Sequence, residues 1–151
     1  MPELKDKLRA DLSTSMKARD AVRTRTLRMV LTAVTTEEVA GAAARELSDA
    51  EIVKVLTREA KKRREAAEAF ETGGRPQQAM AERAEAQVIA GYLPARLTDA
   101  ELSDLVAAAI GETGAAGPRG IGQVMKAVTP RIAGRADGAR VAAEVRRQLG
   151  T

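Results

Sequence analysis

The residues best placed to do chemistry in this sequence are basic ones. From Arg119 onward, seven cations (Arg119, Lys126, Arg131, Arg135, Arg140, Arg146 and Arg147) stand against two acids, Asp137 and Glu144. That local charge of +5 compares with +4 for the whole chain, so the preceding residues nearly balance. A polyanion should therefore meet the C-terminal end. Lys126, Arg131, Arg135 and Arg140, with Arg119, form the candidate electrostatic surface for phosphate groups. Within it, Gly134-Arg135-Ala136-Asp137-Gly138 reads as a tight turn. Gly134 can take the left-handed position that ends a helix, and Asp137 can cap the next one with its carboxylate. Arg135 would then project near Lys126 or Arg131. The segment can be a plain connection between helices, a phosphate contact, or both.

A second basic group is Arg58, Lys61 and Lys62, followed by Arg63 and Arg64. At 100° per residue these positions point around a helix rather than along one face. Glu59 and Arg63 have the favourable i, i+4 order, and Glu65 and Glu68 lie close by. The group is either a self-paired, solvated helix surface or a phosphate patch formed by Arg58, Lys61 and Lys62. Arg19 with Arg23, and Arg25 with Arg28, are like charges one turn apart, which calls for acidic neighbours in the fold. Tyr92 could stack on a base, but beside Leu93-Pro94 it is expected to pack a seam between domains.

Other chemistry has little to work with. The chain lacks Cys and His, which removes thiol nucleophiles, imidazole acid–base catalysis and the usual zinc ligands. No Walker loop or dinucleotide fingerprint occurs, and Ser48 and Thr98 read as helix caps. No catalytic residue, metal site or cofactor is expected. The charged start and the lack of any long apolar run predict a soluble, cytoplasmic protein without a membrane partner.

The elements that must position these residues are helices. Hydrophobic residues make up 44% of the 151, yet only Phe70 and Tyr92 are aromatic. A core of Leu, Val, Ile, Met and Ala suits packed helices better than a sheet. Leu4, Leu8, Leu12 and Met16 predict a first helix; Asp20 caps a second, carrying Leu27, Val30, Leu31 and Val34. Leu47-Ser48-Asp49-Ala50-Glu51-Ile52 and Leu97-Thr98-Asp99-Ala100-Glu101-Leu102 each read as a capping box within a hydrophobic staple. The third helix runs from Asp49 to about Glu71, with Ile52, Val55, Leu56, Ala60, Ala67 and Phe70 inward. Pro76 opens a fourth, which carries Met80, Ala84, Val88 and Ile89. Pro94 to Leu97 is the predicted boundary.

Three shorter helices should follow. Leu102, Leu105, Val106, Ala109 and Ile110 mark the first, which Gly111, Gly114 and Gly117 end. Ile121, Val124, Met125, Val128 and Ile132 mark the second, with Pro130 kinking it, and Val141, Val145 and Leu149 the last. The fold class is all-α: a four-helix N-terminal domain over 1–93 and a small three-helix domain over 98–151.

Several motifs, in this order and spacing, resemble the YqeY-like proteins of the GatB/YqeY family. They are Met16-Lys17-Ala18-Arg19-Asp20, Arg25-Thr26-Leu27-Arg28-Met29, Lys61-Lys62-Arg63-Arg64-Glu65-Ala66, Phe70, Gly74-Arg75 and Tyr92-Leu93-Pro94. Ile121-Gly122-Gln123-Val124-Met125-Lys126 and the Gly134–Gly138 turn complete the series. Gln123 stands where the family usually has Lys, Arg96 where Gln is common, and Pro76-Gln77 where Asp-Leu is usual. The resemblance implies an N-terminal helical domain joined to the three-helix tail found in the B subunit of tRNA-dependent amidotransferases. There the tail helps hold tRNA, while the chemistry belongs to other domains and subunits. The expected function is thus a non-catalytic tRNA-binding or tRNA-metabolism accessory protein. The alternatives are a helical adaptor for a protein such as an amidotransferase or aminoacyl-tRNA synthetase, or an amidotransferase-associated subunit. The last would take part in carbon–nitrogen ligation with glutamine as amido donor, and only in complex.

Overall fold

A computed structural model describes residues 3–150. Among the described residues are seven α-helices, one short 3₁₀ helix and no strand. The chain divides into two compact units, one up to Leu93 and the other from Pro94.

The first unit contains α1 (Glu3–Lys17), α2 (Ala21–Glu38), α3 (Asp49–Thr72) and α4 (Pro76–Ala90). Leu8, Leu27, Val30, Val34, Ile52, Leu56 and Ile89 form its buried centre. The apolar stripe of α1 stops short of its end: Met16 is 49% exposed, and Ser15 takes the inward position. The Ser15 hydroxyl donates to the Leu12 carbonyl at 2.8 Å and lies 2.9 Å from Thr24 Oγ1. A hydroxyl pair thus seals the meeting of α1 and α2, where an apolar contact was expected. On α4, Met80 (67% exposed) and Ala84 face outward, whereas Ala79, Ala86 and Ile89 are buried. Small side chains let α4 lie close against α3, whose inner face also carries Ala60 and Ala67. Phe70 and Leu31 are only half-buried.

Local signals set the helix ends. Ser48 Oγ accepts the Glu51 amide at 3.2 Å, and Glu51 accepts the Ser48 amide at 2.9 Å. Thr98 and Glu101 repeat this exchange at 3.1 and 3.2 Å. Asp20 caps α2 by accepting the Arg23 amide at 3.1 Å. A buried pair then joins the start of α1 to the end of α2. Lys5 Nζ donates to both Glu38 oxygens, at 2.8 and 3.0 Å, and Glu38 also accepts the Leu47 amide at 3.2 Å. Those bonds, the one from Lys5 foremost, hold the Glu38 carboxyl below its ordinary pKa.

The second unit contains α5 (Asp99–Thr113), the 3₁₀ turn Pro118–Gly120, α6 (Ile121–Ile132) and α7 (Gly138–Leu149). Leu102, Val106, Val124, Val128, Val141 and Val145 are buried together. Gly111 does not break α5, which runs on to a left-handed Gly114. Gly120 is buried so close to Ala115 that a Cβ there would meet Ala115 Cβ at 2.7 Å. Pro130 lies inside α6 near its end. The left-handed position after α6 goes first to Ala133, with φ 49°, and then to Gly134, with φ 78°. Asp137 stands at the N-cap position of α7 without a side-chain cap bond, and its carboxylate lies 3.2 Å from the Arg96 guanidinium. Ion pairing with Arg96 replaces the expected amide cap.

Candidate nucleic-acid interface

Within the second unit, the basic residues near the C-terminus fold back on acids and carbonyls near its start. Arg140 donates to the Leu97 carbonyl at 2.8 Å and to Asp99 at 2.7 Å. Arg135 does not project toward Lys126 or Arg131: its Nε donates to the Ala95 carbonyl at 2.7 Å, and its guanidinium lies 3.7 Å from Glu101. The Arg135 carbonyl in turn accepts the Leu97 amide at 2.9 Å. Arg131 pairs with Glu112, which raises the guanidinium's pKa further. These three arginines are therefore structural clamps, each joining α6, α7 or the turn between them to the Ala95–Thr113 stretch.

The charge count changes accordingly. From Pro94 onward, eight basic residues meet six acidic ones, so the +5 of the C-terminal stretch falls to +2 for the unit. Arg119 on the 3₁₀ turn and Lys126 on α6 are exposed and have no partner among the described residues. Arg147 holds Glu144 with two hydrogen bonds, at 2.9 and 2.5 Å; with Gln148 it brings that carboxyl down to about 2. Gln123 donates weakly to the Thr113 carbonyl at 3.4 Å.

The second sequence candidate is not a free patch. Arg58 lies 3.5 Å from Glu37, Lys61 3.9 Å from Glu65 and Lys62 3.4 Å from Glu59. Glu59 also lies 3.4 Å from Arg63. The Arg58 and Lys61 pairs are exposed and add little stability, whereas Glu59 is buried; all of them lower the local potential a phosphate would meet.

The α2 arginines divide. Arg25 pairs with Glu85 at 2.8 Å, and Arg23 lies 3.8 Å from Asp11. Arg28 contacts only Met16 Sδ, at 3.8 Å, and Arg19 has no partner among the described residues. The sequence marked Arg19 and Arg28 only as members of repelling pairs, because spacing along a helix does not say which cation finds an acid. Within the first unit Tyr92 is tied down by polar contacts. Its hydroxyl donates to Asp11 at 2.5 Å and accepts from Arg23 at 3.0 Å, and Lys7 and Arg23 lie over its ring. Burial, helped by the bond to Asp11, pushes the phenol up to about 12.

Among the described residues no group of three or more acidic, His or Cys side chains converges as a metal site. No helix among them is long and apolar enough to cross a membrane. What remains is an all-helical protein of two units, most of whose arginines are engaged internally while a few cations stay open. The family model described as Yqey-like protein matches residues 5–149, and the chain belongs to that family. No curated protein matches it.

Proposed function

We propose that this protein is a non-catalytic, tRNA-binding accessory factor of tRNA metabolism, cytoplasmic like its RNA ligand. The observation that supports the reading best is the exposed, unpaired state of Arg119 and Lys126 in the more basic part of the chain. The resemblance to the amidotransferase B-subunit tail supplies the ligand class. On this reading the four-helix and three-helix parts are separate domains, and the latter is a tail of that type. Arg119 and Lys126 meet phosphates first. Arg131, Arg135 and Arg140 hold the surface in shape and offer phosphate any N–H left outside their internal bonds. The absence of Cys and His fits a protein that binds rather than transforms.

Binding of labelled tRNA and of a length-matched duplex, measured over a salt series, tests the reading. Two phosphate contacts predict a log–log salt slope of about −1.4 to −1.8 from this surface. Arg119→Glu/Lys126→Glu should weaken tRNA binding and flatten the slope while leaving the helical spectrum intact. No binding, or equal binding to any polyanion, would overturn it.

A second reading has its own support in Met80 and Val39, at 67% and 59% exposed. It makes the protein a helical adaptor for an amidotransferase or aminoacyl-tRNA synthetase, or a subunit that joins amidotransferase chemistry only in complex. Association through apolar residues would respond weakly to salt.

A further inference from the structure

A groove of about 520 Å³ opens at the α1–α2 corner, lined among others by Met16, Arg19, Asp20, Thr24, Arg25 and Arg28. Its charges do not cancel. Arg25 is matched by Glu85, and Asp20 accepts the Arg23 amide at the start of α2. Arg19 and Arg28 are left over: one has no partner among the described residues, and the other has only a thioether, a weak acceptor.

The backbone makes Arg19 more telling. The Asp20 amide donates to the Ser15 carbonyl at 3.0 Å and the Arg19 amide to Met16 at 3.2 Å, with Arg19 at φ 56°. This is the paired helix ending that glycine normally completes. The same ending after α3, with Arg75 bonded to Phe70 and Gly74 to Glu71, has Gly74 in that place at φ 74°. The turn therefore has no need of an arginine, and a side chain there is strained.

We propose that this groove is a phosphate site of nucleotide size. Arg19 and Arg28 donate to the phosphate oxygens, and the half-exposed Met16 supports the sugar or base. Two sources share that chemistry: a phosphodiester of an RNA strand and a free nucleotide. The first rests on the tRNA reading above; the second stands without it.

Wild type and Arg19→Gly/Arg28→Ala are compared by binding of labelled tRNA over a salt series, and by NMR of the arginine Nε–H signals titrated with ATP. Thermal melts establish that the variant is folded; Arg19→Gly relieves the strained φ, and Arg28 lies on an exposed face. With RNA as the source, the variant binds RNA about tenfold more weakly and its salt slope flattens by about 1.4 to 1.8. With a nucleotide as the source, ATP shifts the Arg19 and Arg28 signals and RNA binding is equal in the two proteins. Wild type that fails to bind RNA but shows the ATP shifts retains the site and loses the tRNA reading. Unchanged RNA binding together with no ATP response overturns the site.

Discussion

Arg135 and Arg19 each lie in a turn between consecutive helices, and the fold uses the two side chains in opposite ways. Arg135, between α6 and α7, is tied by its amide to Ile132, by its carbonyl to Leu97 and by its guanidinium to Ala95 and Glu101. Arg19, between α1 and α2, has backbone bonds alone. The residue type is the same, and left-handed backbone occurs in both turns, at Ala133 and Gly134 in one and at Arg19 in the other. What differs is the acceptor supply. Around Arg135 the chain brings back the carbonyls and acids that begin the second unit. Around Arg19 the nearest acid in sequence, Asp20, is already engaged at a helix start. Charge reversal at Arg131 and Arg135 would thus be a poor test of RNA binding, since it would break the clamp as well as any phosphate contact.

The comparison predicts that cations holding the fold cost stability when removed and that surplus ones do not. The largest effect should come from the buried Lys5–Glu38 pair: Glu38→Ala strands Lys5 and should cost about 3 kcal/mol in a denaturant titration. The folded pKa of Glu38 lies below its unfolded value. The pair's contribution is therefore fully present above about pH 4.5 and fades as pH falls through the lowered folded value, so wild type and variant should converge in acid. Arg140→Ala removes one bond to a carbonyl and one to a carboxylate, and should cost about 2 kcal/mol by the same measurement. Gly74→Arg recreates the Arg19 backbone state where nothing lies within 4 Å of the added Cβ. Its cost should be about 1 to 2 kcal/mol, from φ alone. Arg19→Gly is the converse, neutral or stabilising by up to about 1 kcal/mol; a clear loss would show that the side chain supports the fold after all. Arg58→Ala and Lys61→Ala should each change stability by less than about 0.5 kcal/mol in thermal melts.

Much of the local architecture was legible in the residues. The two capping boxes, the Asp20 cap, the Pro76 start and the inward faces of α2, α3 and α5–α7 depend on groups within a few positions of each other. Met16, Met80 and Ala84 were misplaced, because periodicity locates a stripe without saying where a helix leaves its neighbours or where small alanines bring two helices close. Asp137 was placed correctly at a helix start, but its carboxylate found Arg96, 41 positions away.

Residue order alone establishes that the chain is helical, where most helices start and that its cations crowd toward one end. Which cations remain available is set by how the helices pack. Arg140 meets Asp99 across 41 positions, Arg135 meets Ala95 across 40 and Arg131 meets Glu112 across 19. Caps and helical faces follow from backbone geometry over one or two turns. Neutralisation of a charge depends on which distant acid the packed core brings within hydrogen-bonding reach, and no local pattern encodes that distance.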